Sequence, residues 1–158
     1  MQRAINTKPR QVNNFGLAFV FLSFSVIAVQ LINYIITVTP AAQDAVLNVA
    51  DGTTIAVSSL RSSYLTLVII SLLVYGGTWF GLIRSMNWAR WIAVILAIIT
   101  AALAVQGFAQ VVAAGFSDMV GLGVSLAQLI TAGWVLSLAF QHDVHQWYAK
   151  KIKAQQQS

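Results

Sequence analysis

No cysteine and no glutamate occur anywhere in these 158 residues, and proline appears only at Pro9 and Pro40. Without cysteine there are no disulfides, no thiolate metal sites and no sulfur nucleophile, while the redox compartment is left open. Charge is scarce too: 8 % of the residues are charged and 58 % are apolar, against roughly 25 % and 45–50 % in a soluble globular domain. So little charge cannot cover a soluble surface, so most of that surface is expected to face lipid. Apart from Arg90 at the very start of the third, the long apolar runs contain no Asp, Glu, Lys, Arg or His. Proton-coupled transport normally relies on such a group within the membrane, which disfavours a small proton-driven multidrug pump. No Ser–His pair, intramembrane Asp pair, Gly-rich phosphate loop or haem-ligand pattern is present, so the chain is read as a non-enzyme with no cofactor.

Four apolar runs are what the sequence does contain, at about residues 15–38, 64–83, 90–114 and 120–140. Each is near the roughly 20 residues a helix needs to cross about 30 Å of hydrocarbon. Strands of a transmembrane barrel are about half as long and alternate in polarity; these runs do not alternate. The expected fold is all-α, an integral membrane four-helix antiparallel bundle. It forms one domain, with an outer loop at 39–63 and a cytoplasmic amphipathic tail at 141–158. Arg3, Lys8, Arg10, Arg84, Arg90, Lys150, Lys151 and Lys153 fall on one side of such a bundle. The other side holds only Arg61, with Asp44, Asp51 and Asp118. The positive-inside rule then places both termini in the cytoplasm. The formal charge of +5 reads as this topology signal rather than as a nucleic-acid footprint. Trp79, Trp88, Trp91, Trp147 and Tyr148 gather near the same boundary, where amphipathic rings sit well; Trp134 is expected to pack within or beside the bundle. A cleaved leader ending near Pro40-Ala41-Ala42 is disfavoured, because the first run far exceeds an h-region of about 7–15 residues.

In the outer loop, Thr39-Pro40 reads as a helix start. Ala41 to Ala50 is expected to form a short helix on the membrane, Asp51-Gly52 a turn and Thr53 to Val57 an extended stretch. A lid or partner-binding role for this loop stands beside the plainer one of connector. The short loop between Arg84 and Arg90 makes spans two and three antiparallel neighbours. Beyond Phe140, Val144, Trp147, Tyr148 and Ile152 form the apolar side of a further helix, with lysines toward headgroups or water.

Uncharged polar residues are grouped by depth. Gln30 and Gln106 each lie fifteen residues beyond an aromatic at the inner boundary, roughly 22 Å along a helix. Asn33 and Gln110 follow them on the same helix faces, Gln128 descends to a similar level, and Thr66 and Ser71 occupy the outer half of span two. An amide turned to lipid leaves donors and acceptors unpaired at a cost of several kcal/mol, so these groups are expected to face inward. They serve as interhelical glue, as the lining of a polar pocket open to the outside, or as contacts to another subunit. Small residues give a second packing signal: Gly77 and Gly81 on span two, and Ala93, Ala97 and Ala101 on span three, allow close helix approach or self-association. His142, Asp143 and His145 form the one cluster resembling a metal site. A closed zinc site needs four ligands and a catalytic one usually three, so a solvated interfacial patch is expected there and no metal.

The stretch Leu82 to Trp91, reading Leu-Ile-Arg-Ser-Met-Asn-Trp-Ala-Arg-Trp, resembles the turn between spans two and three in a family of small uncharacterised bacterial inner-membrane proteins. Those proteins have four helices and a Gly-Arg-x-Trp-Ala-Arg-Trp-like turn. Gln146 to Lys150 is similar to their short aromatic and basic C-terminal segment. Ser85-Met86 stands here where Gly-Arg or Gly-Lys is common. The resemblance implies a bacterial inner-membrane location and no particular activity. Physically, Arg84 and Arg90 are expected to meet phosphate headgroups, with Trp88, Trp91, Trp147, Lys150 and Lys151 as further interface anchors, or to form a docking site for a partner.

The sequence thus predicts a small membrane protein whose partners are the bilayer and a second copy or another membrane protein. It would act as an accessory, regulatory or immunity-type factor. The alternative is an oligomeric carrier or channel for a small neutral solute. Cysteines introduced at Asp51 and Asp118 are expected to react with an impermeant maleimide in intact cells, and one at Ser85 is not; labelling in the reverse sense would invert the topology.

Overall fold

The structure, a computed structural model, describes residues 8–39, 46–48, 54–113, 115–116 and 118–156. Helices α1 (Arg10–Val38), α2 (Val57–Ile83), α3 (Asn87–Ala113), α4 (Met119–Ala139) and α5 (His142–Gln156) make up nearly all of it, with a pair of short strands, β1 (Val46–Asn48) and β2 (Thr54–Ala56). Four helical stretches are long and apolar enough to cross a membrane: Arg10–Val38, Arg61–Ile83, Asn87–Ala113 and Met119–Ala139. They are apolar all round, the pattern of a helix that meets water on no side. Phe24, Leu73, Val120 and Ile130 are each at least 70 % exposed, and exposure of large apolar side chains on that scale suits hydrocarbon rather than water.

The helices overrun the apolar runs at several ends. Nothing stops a helix where lipid stops, and α1 begins directly after Pro9. The Pro9 carbonyl accepts from the Val12 and Asn13 amides, and Pro itself has no donor to leave unpaired. Between α1 and α2 the helix expected over Ala41 to Ala50 is corrected at Val46–Asn48, the part of it among the described residues: this is strand, paired antiparallel with Thr54–Ala56 so that Leu47 faces Ile55, and the second strand falls within the extended stretch expected over Thr53 to Val57. β-branched Val46, Thr54 and Ile55 around an Asp-Gly turn signal favour a hairpin over a helix. The Thr39 amide and hydroxyl both bond back to the Ile36 carbonyl. Pro40 and the Asp51-Gly52 turn lie outside the described residues, as do Arg3, Asp44 and the side chains of Lys150, Lys151, Ile152 and Lys153.

The sequence shows no linker, yet the packing gathers into two units: Met1–Ser25 with Gly76–Ser158, and Val26–Tyr75. The smaller unit holds the strand pair, with Thr37, Val68, Ser71 and Tyr75 among its buried residues. In the larger unit α3 and α4 pack tightly side by side. The buried face of α3 is Ala89, Ala93, Ala97, Thr100, Ala104 and Val111. α4 presents Ser125, Ala132, Val135, Leu138 and Ala139. Gly107 lies so close to α4 that a Cβ there would sit 2.9 Å from the Ser125 hydroxyl. Gly121 of α4 is level with Val111, so the two helices run antiparallel. Small side chains let the backbones approach and gain dispersion contacts, which replace the hydrophobic effect where the solvent is itself hydrocarbon. The strip does not run on through Ala101, which is half-buried. A spacing of four residues drifts about 40° per step around a helix, so the seam shifts to Thr100 and Ala104. Val12, Phe15, Ala18, Phe19 and Leu22, on the first half of α1, are fully buried in the same unit. Phe21 stacks on Trp134 of α4 with ring centroids 6.3 Å apart.

Two connections use left-handed residues. After α2 the Met86 amide reaches back to the Gly81 carbonyl and Ser85 takes a φ of 55°, the geometry of a helix stop usually given to Gly. After α3, Gly115 and Phe116 have φ values of 68° and 60°. α4 then starts at Asp118, whose carboxylate accepts from the Gly121 amide at 2.8 Å, an N-cap.

The Gly77/Gly81 pair divides. A Cβ at Gly81 would lie 2.6 Å from the Ala89 Cβ and 3.0 Å from the Trp88 ring, whereas one at Gly77 would meet nothing within 4 Å. Gly81→Ala is therefore expected to destabilise the protein by about 1–3 kcal/mol, and Gly77→Ala to change stability by less than about 0.5 kcal/mol. Denaturant titration in detergent measures both; equal effects would show that the turn yields freely.

Candidate functional site

The polar residues expected at a common depth are distributed over both units. In the smaller one, Gln30 and Asn33 are half-buried, Ser71 is buried, and Thr66 is exposed with its hydroxyl donating to the Ser62 carbonyl at 2.8 Å. The Gln30 Oε1 is buried without a hydrogen-bond partner. In the larger unit Gln128 is half-buried, while Gln106 and Gln110 are exposed. That pair departs from the expectation that every such amide turns inward. The reason lies in α3 itself: its inward face is taken by the seam of small residues, and a glutamine at Gly107 or Ala104 would not fit there. A groove of about 270 Å³ beside the end of α1 is lined by Tyr34, Ile35, Val38 and Thr39, and includes none of these amides.

The polar contacts that the structure does assemble lie at the opposite end of the larger unit, where α5 folds against the α2–α3 turn. Arg90 is 4 % exposed. Its Nη1 donates to His145 Nδ1 at 3.0 Å, and its guanidinium lies over the rings of Trp91 at 5.0 Å and Tyr148 at 6.0 Å. A guanidinium only donates, so His145 must carry its proton on Nε2. The Trp147 indole donates to the Ser85 hydroxyl at 3.2 Å. Val144 and Tyr148, the apolar side expected for this helix, are fully buried. His142 lies 2.8 Å from the Gln146 side-chain nitrogen on its own helix. It does not join His145, and among the described residues no group of three His, Cys, Asp or Glu is placed to hold a metal.

Of the expected interface anchors, Trp88, Trp91 and Arg84 are exposed; Arg84 covers the Phe80 ring at 4.2 Å. Arg90 and Trp147 act differently, as internal fastenings. Sequence reasoning missed this because a basic residue at the end of an apolar run has the same pattern whether it meets a phosphate or an aromatic face. The i, i+3, i+4 spacing of Val144, Trp147 and Tyr148 was the available signal, since it marks a face wide enough to be covered. Ser85 also gains a reason: its hydroxyl is the acceptor for Trp147, which a Gly at this left-handed position would not supply. Because Ser85 is buried, exposed Arg84 is the better position in this turn for the maleimide test of topology.

Burial pushes the Tyr148 phenol up to about 12, against a smaller opposite pull from Arg90. The folded chain thus holds this proton more tightly than the unfolded one. Its contribution is whole below about pH 10 and is lost as pH rises toward 12. The difference between the 295-nm titrations of the wild-type protein and Tyr148→Phe is expected to show one phenol with a midpoint near 12. A midpoint near 10 would mean that α5 is not docked.

Compared with protein families, curated proteins and solved structures, the chain matches none.

Proposed function

We propose that this chain is a non-enzymatic four-span protein of a bacterial inner membrane that works by association, as an accessory, regulatory or immunity-type partner of another membrane protein or of itself. In this reading the helices form an antiparallel bundle with both termini in the cytoplasm, and α5 lies at the cytoplasmic face. Support for the orientation comes from the eight basic residues on that side and from the positive-inside rule. The likeness of Leu82 to Trp91 to the turn of bacterial four-helix proteins supports the choice of membrane.

The observation that carries association is the exposure of Gln106 and Gln110 on α3. An amide left unpaired in hydrocarbon costs several kcal/mol, and a partner helix removes that cost. One observation favours the alternative, a carrier or channel for a small neutral solute: the buried, unpaired Gln30 Oε1 would accept a hydrogen bond from a solute or water.

Crosslinking in native membranes followed by native mass spectrometry is expected to return the chain in a defined complex. A strictly monomeric chain under native expression would sink the association reading. Flux of a neutral solute such as glycerol into proteoliposomes, abolished by Gln30→Leu, would establish the carrier instead.

A further inference from the structure

The exposed face of α3 changes character along its length. Toward its start the side chains opposite the seam are bulky: Trp91, Ile95, Ile98 and Ile99, all about half exposed. Further along they are Ala102, Gln106, Ala109 and Ala113, again exposed. At 100° per residue these four fall within about 60° of one another and directly opposite the buried strip of Ala93, Ala97, Thr100 and Ala104. Their spacing of four, three and four residues is that of a left-handed helix pair. Gln110 flanks the strip. Lipid alone gives no reason to replace isoleucine by alanine on a surface it solvates. Close approach of a second helix does, because small side chains bring backbones together and leave a central amide room to bond across the gap.

We propose that this face, centred on Gln106, docks against the same face of a second copy of the chain. The inference rests on the association reading and names its surface and occupant. The argument for a second copy is one of chemistry and depth. Two copies inserted in the same direction are related by an axis along the membrane normal, so each residue meets its own counterpart at the same depth. A glutamine carries both donors and an acceptor, so Gln106 is complementary to itself. No other partner is guaranteed to present an amide at that level. Ala102, Ala109 and Ala113 flank the pair and let the helices come together above and below it. The seam between α3 and α4 is unaffected, since it occupies the other side of α3.

The chain has no cysteine, so single-cysteine variants report cleanly on this geometry. In native membranes Ala102→Cys and Ala109→Cys are expected to form disulfide-linked dimers under mild oxidation, and Ile130→Cys, exposed on α4, is not. In lipid-vesicle dilution measured by energy transfer, Gln106→Leu is expected to weaken dimerisation by about 3- to 30-fold, with Gln106→Asn retaining part of it. Dimers no more frequent at Ala102 and Ala109 than at Ile130, or full-strength dimers of Gln106→Leu, would overturn the proposal. A photocrosslinker at Ala109 separates its failure from that of the association reading. An adduct of twice the chain mass supports the pair. An adduct with a different protein overturns the second copy but keeps association, and adducts with lipid alone overturn both.

Discussion

A peptide group in hydrocarbon has no water to bond with, and every consequence of that constraint is visible in this chain. It forces each crossing segment to be a helix, because only a helix satisfies its own N–H and C=O groups along a single segment. It also explains why the polar side chains among the seam and buried positions are mostly Ser and Thr. Thr37, Thr100, Ser23 and Ser25 turn their hydroxyls onto carbonyls three or four residues back in their own helices. A hydroxyl can be satisfied locally in this way. A glutamine amide has more groups than its own turn can satisfy, so it must find a partner elsewhere. The distinction separates the hydroxyls, which are at ease wherever they fall, from Gln30, Gln106 and Gln110, which are not.

The same constraint decided what was legible. Four helices of spanning length can be read from composition alone, since an uninterrupted apolar run of that length leaves few alternatives. Which way each helix faces was much harder to read. In a soluble protein an apolar stripe marks the inside; here α1 to α4 are apolar on every side, and only the sizes of side chains distinguish inner from outer. Ala93 and Ala97 were readable on that basis. Gln106 is exposed on α3, whose buried face is taken by the small residues, and the reasoning that a polar group in a membrane must turn inward does not weigh that competition. Of the strand pair between α1 and α2, the extended stretch around Thr54–Ala56 was legible and Val46–Asn48 was not. The alanines in the sequence around Val46–Asn48 suggest helix locally, and at those three residues pairing with Thr54–Ala56 overrode that preference.

At the other end, α5 shows how a helix with charge behaves beside helices without it. Its sequence carries a covered side and a wet side, and the covered side meets the turn through one indole, one imidazole and one buried arginine. Arginine suits this position better than lysine. Its flat, weakly hydrated head can lie between aromatic rings while one edge still donates.

The contact between Phe21 and Trp134 has a consequence for how the protein is made. α3 and α4 close on each other across a handful of residues, so their pairing is local and can follow directly on synthesis. The first half of α1 instead meets a residue encoded far later in the chain. At roughly 5–20 residues per second, that half-helix waits on the order of 5–20 s for its neighbour to emerge. During that interval Phe21 has only lipid or the insertion machinery where Trp134 will later lie.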